Sequence, residues 1–103
     1  MAENIALTET TYYILLSLYR PLHGYGIMQR AAELSGGRVR LAAGTLYGAL
    51  NALVDKGWIA LLPGEGRKKE YKLTPKGLEI LKKELARLRE LVASGDMVLK
   101  EEA

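Results

Sequence analysis

The sequence predicts a mainly α-helical fold with one small β-hairpin. Three observations carry this. Three short segments place apolar residues at helical spacing, and each is closed by Pro or Gly. Two alternating runs, "WIALL" and "KEYKL", flank the turn-forming stretch "PGEGRK". The final segment repeats leucine at spacings of three and four. The chain has 103 residues, which fits one domain. A domain of this size buries a modest share of its surface, so a partner chain would add stability.

The first helix is expected near 8–19. Thr8 can cap it, Glu9 suits its first turn, and Tyr12, Leu15, Leu16 and Tyr19 recur on one face, widened by Ile14 and Leu18. Pro21 stops it. A second helix near 24–35 has Ile27, Met28, Ala31 and Leu34 as its apolar face and ends at Gly36-Gly37. A third helix near 43–56 has Leu46, Leu50, Leu53 and Val54 as its buried stripe, with Gly57 at its C-terminal end. Then come the two strands. Thr74-Pro75 is a strong helix start, and the last helix is expected near 75–93, ending at Ser94-Gly95.

Three helices, a hairpin and a further helix form the layout of a winged helix-turn-helix with an appended helix. The expected division is a winged helix-turn-helix DNA-binding unit over 1–74, a dimerisation helix over 75–95 and a tail over 96–103. Charge follows this layout. The chain has net charge +3, yet residues 37–77 hold eight cations against three anions, a local +5. Such a concentration on a near-neutral body fits an anion-binding face. Arg67, Lys68 and Lys69 sit at the hairpin tip, where a phosphate backbone or groove would lie; Arg38 and Arg40 precede the third helix and could grip the backbone beside it.

The third helix has the asymmetry of a recognition helix. With Leu46, Leu50 and Leu53 pointing inward, Gly44, Gly48, Asn51 and Asp55 point outward, flanked by Thr45 and Tyr47. The two glycines leave that face nearly bare, so another backbone could approach closely. Tyr47 offers a hydroxyl, and Asn51 can pair bidentately with adenine. A carboxylate at Asp55 would repel phosphate. Close helix packing is the alternative use of the two glycines.

In the last helix, Leu78, Leu81, Leu85, Leu88 and Val92 form an a/d seam over about two heptads. Pairing with a second copy would use that seam, together with the first helix, and present two recognition helices one DNA turn apart; the alternative is packing within its own chain.

The stretches "LTETTYYILLSL", "HGYGIMQ", "GTLYGALNALVDKGWI" and "RKKEYKLTPKG", in this order over residues 7–77, resemble the PadR family of bacterial transcriptional regulators, with the leucine helix following as in its short members. The resemblance implies a homodimeric repressor on a palindromic double-stranded DNA operator. It carries DNA contact to Thr45, Tyr47, Asn51, Arg67 and Lys68, and dimerisation to the last helix. Many members of the family respond to small aromatic or drug-like effectors. This chain departs from the family pattern at several points. Ala42 stands where Ser or Thr often caps the third helix and touches phosphate, so Arg40 or backbone amides would have to serve. Gly48 stands where Pro is usual, and basic residues common near Asn51 and Ala52 are missing. The last helix has no aromatic residue to sandwich a flat ligand. Trp58 reads as a packing residue.

Other functions are poorly served. The chain has no cysteine, which excludes disulfides and thiolate chemistry. His23 is the single histidine and has no nucleophile or metal set beside it, so no catalytic residue, no metal ligand and no cofactor is expected. "PGEGRK" lacks P-loop spacing. No signal peptide and no membrane segment is legible, which makes the cytoplasm the expected compartment. A different class stays open: winged helices also serve as protein-interaction modules, or as ligand sensors without DNA binding.

Overall fold

Thr8 opens the first helix by accepting a hydrogen bond from the Thr11 N–H at 3.1 Å. In the computed structural model, which describes residues 6–63 and 69–101, this helix (α1) spans Glu9–Ser17. Ile14, Leu15 and Leu18 are buried from it. It closes two residues earlier than the periodicity predicts. Ahead of Pro21 the chain tightens, with Leu18 N–H donating to Leu15 O at 3.1 Å and Tyr19 N–H to Leu16 O at 3.2 Å. That turn carries Tyr19 off the apolar face, and it is 71% exposed.

A two-residue strand, β1 (Leu22–His23), leads into α2 (Gly24–Leu34). His23 caps α2, its Nδ1 accepting the Gly26 N–H at 3.1 Å, a turn-and-cap role in line with its place in "HGYG". The third helix, α3, spans Ala43–Asp55 and buries Leu46, Leu50 and Leu53. Val54 does not join them: one step is about 100° of turn, enough to leave it 37% exposed. Gly57 then takes φ 76, a conformation L side chains rarely adopt, and returns the chain toward the sheet.

The hairpin strands are β2 (Ile59–Leu61) and β3 (Glu70–Leu73). The sheet has three strands rather than two, all antiparallel, in the order β1-β3-β2. Leu22 faces Tyr71 across one edge of β3, and Ile59 faces Leu73 across the other. A two-residue strand shows no alternation, so β1 is visible only once β3 lies beside it.

The last helix, α4, spans Pro75–Lys100. Thr74 caps it, accepting the Gly77 N–H at 3.0 Å, with Pro75 in the first helical turn. Ser94-Gly95 does not end it, and most of the expected tail is helical. A glycine inside a helix costs about 1 kcal/mol relative to alanine, which an otherwise continuous hydrogen-bond ladder absorbs. From Arg89 to Lys100 every residue of α4 is exposed. At 1.5 Å rise per residue the helix is about 39 Å long, against a longest molecular extent of 58 Å, so its C-terminal half projects from the body.

The core lies where α1, α2, α3, the sheet and the start of α4 meet. Ile14, Leu15, Ile27, Leu46, Leu50 and Ile59 are essentially inaccessible, and Trp58 and Leu81 close the side toward α4. Trp58 is a packing residue, as the sequence indicates.

Candidate nucleic-acid interface

The exposed face of α3 follows from what the opposite face buries. Leu46, Leu50 and Leu53 enter the core, and the helical repeat then leaves Gly44, Thr45, Tyr47, Gly48, Asn51 and Asp55 exposed. A Cβ added at Gly44 or Gly48 would meet nothing within 4 Å, so neither glycine serves helix packing. They leave a bare strip of backbone on the surface between Thr45, Tyr47 and Asn51. Ala42, at the N-cap, gives no side-chain bond to the first turn. The amides there are not capped by its side chain, and unpaired helix-start amides suit an anion.

Tyr47 does not project freely. Its phenol lies over Gly24, the first residue of α2: a Cβ there would overlap the hydroxyl and sit 2.8 Å from Cζ. The hydroxyl end of the ring is against α2 and the residue is still 46% exposed. Tyr71 of β3 stands near enough to sense it. Burial pushes the Tyr71 hydroxyl above its ordinary 10.0, and the Tyr47 phenol adds to that.

The cations around α3 are placed unequally. Arg38 reaches back to α1 and pairs with Glu9 at 2.9 Å, both side chains largely in water. A surface pair of this kind contributes about 0–1 kcal/mol and exchanges partners readily. Arg40 and Lys69 are exposed. Lys56 sits 4.7 Å above the Trp58 ring, a cation–π contact. Its carbonyl accepts from Lys76 Nζ at 3.4 Å, which brings two cations to the junction of α3 and α4. Arg67 and Lys68 lie outside the described residues.

On α4 the five seam positions divide. Leu78 is half-buried, and Leu81 packs in the core of its own chain at 6% exposure. Leu85 and Val92 are exposed, with Leu88 half-buried between them. Leu91, Val98 and Leu99 add further exposed apolar surface along the projecting half.

The sequence reading missed Glu84. Its carboxylate is 3% exposed and accepts from Arg87 Nε at 2.6 Å, from Arg87 Nη2 at 2.8 Å and from the Leu7 N–H at 3.0 Å. The hydrogen bonds from Arg87 hold Glu84 below its ordinary 4.5; burial opposes this, and the Leu7 N–H and the Arg87 charge reinforce it. The i,i+3 spacing of Glu84 and Arg87 is legible in the sequence. The burial is not, because it comes from the segment before α1. Leu7, the start of α1 and α4 enclose an open cleft of about 300 Å³, lined by Leu7, Glu9, Tyr12, Tyr13, Glu84, Arg87 and Leu88. Among the described residues, no helix is long and apolar enough to cross a membrane.

Residues 13–83 match the Transcriptional regulator PadR-like family. A PadR family transcriptional regulator from Eggerthella lenta is 25% identical, with TM-score 0.71 over 86% of this chain and 80% of that one. Bacillus subtilis PadR in complex with operator DNA is 31% identical, with TM-score 0.62 over 73% of this chain and 46% of that one. A Streptomyces fradiae protein of 37.1 kDa in transposon TN4556, uncharacterized, is 44% identical over 64 residues, 62% of this chain. The chain spans only 18% of that relative.

Proposed function

The chain belongs to the PadR-like family of transcriptional regulators, and from that premise we propose that it is a sequence-specific DNA-binding repressor. It acts as a homodimer on a palindromic operator and is released by a small-molecule effector. The observation that carries this reading is the exposed face of α3. Thr45, Tyr47 and Asn51 stand around the open backbone of Gly44 and Gly48, with a solid apolar stripe behind them. A helix built this way can lie deep in a major groove, with Asn51 reading a base edge and the hydroxyls meeting phosphate or base. The Bacillus subtilis relative is held on operator DNA in its crystal structure, which supports the same use here.

Arg38 and Arg40 precede α3 in the chain, and further DNA contact is assigned to Arg67, Lys68 and Lys69 from the sequence. Arg38 exchanges Glu9 for phosphate at little cost. The projecting half of α4 supports the homodimer: Leu85, Leu88 and Val92 carry the seam, while Leu81 faces its own core. The cleft enclosed by Leu7, the start of α1 and α4 is at the lower end of the size range of small-ligand pockets, about 300 Å³, which suits an effector with one aromatic ring. A cytoplasmic location follows from this function.

One feature favours a second reading, a protein-interaction module. In α3 the only charged residue is Asp55. Fluorescence anisotropy separates the two readings. Labelled duplex from upstream of the gene is compared with random duplex of equal length at two salt concentrations. The repressor reading expects tighter binding to the upstream DNA and a steep loss with salt. Equal, weak binding to both duplexes at both salts overturns it in favour of the interaction module.

A further inference from the structure

We infer that Gly24, which lies outside α3, is a positioning residue for DNA binding and acts by seating Tyr47; this rests on the DNA-binding reading above. Gly24 is the first residue of α2, a place where glycine has no helical advantage and alanine is the better helix former. Its backbone does not require glycine either: among the described residues, the positive-φ glycines are Gly36, Gly37 and Gly57. What requires it is space. The three atoms nearest to an added Cβ all belong to the Tyr47 phenol, the hydroxyl overlapping and Cζ and Cε1 at 2.8 and 3.3 Å. Gly24 is buried, and the ring against it is the one exposed aromatic side chain of α3.

The physical consequence separates stability from binding. The obstacle to a side chain at position 24 is the far end of another side chain with two rotatable bonds, not backbone. An alanine there is accommodated by swinging Tyr47 away, so the fold survives and the orientation of the phenol is lost. That orientation places the hydroxyl against the start of α2 at Gly24. Holding the ring on Gly24 removes its rotamer freedom before DNA arrives, which lowers the entropy lost on binding.

The test is a double-mutant cycle on DNA affinity with wild type, Gly24→Ala, Tyr47→Ala and the double variant, using the labelled upstream duplex and the random duplex. Thermal melts of the four proteins are run in parallel. Gly24→Ala is expected to melt within a few degrees of wild type and to bind the upstream duplex roughly fivefold to tenfold more weakly, the size of coupling found for residues in contact. In the Tyr47→Ala background the same change is expected to have no effect on affinity. A Gly24→Ala protein that binds like wild type overturns the inference. So does one that loses the same factor with or without Tyr47, or one that loses affinity only because it unfolds. Failure of wild type to prefer the upstream duplex is a separate result: it overturns the DNA-binding reading, and this inference with it.

Discussion

Gly77→Ala should destabilise this protein by about 3 kcal/mol, although alanine is the better helix former at a helical position. Gly77 lies in the first turn of α4, pressed against the chain where it leaves α3 for β2. A Cβ there would overlap the Trp58 carbonyl oxygen and lie 2.8 Å from the carbonyl carbon, whereas ordinary non-bonded contacts are about 3.5–4.0 Å. The obstacle is backbone, so the start of α4 must move. Two hydrogen bonds hold that start in place, Thr74 N–H to Trp58 O at 3.1 Å and Thr74 Oγ1 to Gly57 O at 2.6 Å. Losing both costs about 2 kcal/mol at about 1 kcal/mol each. Overpacking beside Trp58 and Leu81 adds about 2 kcal/mol, and the improved helix propensity returns about 1 kcal/mol. For a domain of this size the net loss lowers Tm by roughly 10–20 °C. The assay is a thermal melt by circular dichroism at fixed protein concentration, with Gly48→Ala as control. Gly48 is open, so alanine there should raise stability by up to about 1 kcal/mol. Two variants with the same chemical change would move in opposite directions. If Gly77→Ala melts at or above wild type, the close approach of α4 to the Trp58 carbonyl is not a determinant of the fold.

Three further outcomes are expected. Replacing Leu85 and Leu88 with polar residues should convert a dimer to a monomer in sedimentation velocity; a variant that still sediments as a dimer would remove the α4 seam from the proposal. Arg67→Ala with Lys68→Ala should weaken binding to every duplex and flatten the salt dependence by about two phosphate contacts, whereas Asn51→Ala should change which sequence is preferred; an unchanged salt slope would take the wing out of the interface. Acid stability should report Glu84. Its carboxyl is held below 4.5 in the folded state, so the unfolded chain binds the proton more readily, and the stabilisation is full above that value and lost as pH falls below it. Glu84→Gln should therefore flatten the fall of the urea midpoint below pH 4.5, and parallel curves for the two proteins would count against it.

Much of the fold was legible because its elements rest on local chemistry. Thr8 and Thr74 cap helices through bonds to residues three positions on. The apolar stripe of α3 at Leu46, Leu50 and Leu53 is a periodicity, and so is the alternation around Tyr71. Part of what the sequence left hidden depends on segments far apart in the chain. Strand β1 exists because β3 lies beside it. The end of α4 was misplaced because Ser94-Gly95 lowers helix propensity without forbidding helix.

By itself, then, the amino-acid order determined the four helices and the hairpin, the capping, the inward and outward faces of α3 and the concentration of positive charge between residues 37 and 77. Each of these is set by neighbours within a few positions. Only the tertiary structure decided how individual side chains are engaged. It brought Arg38 to Glu9, buried Glu84 beneath Leu7, turned Leu81 inward and laid Tyr47 over Gly24. The reason is that these contacts join residues that no period relates, and each depends on the close packing of helices whose crossing is settled by the whole core at once.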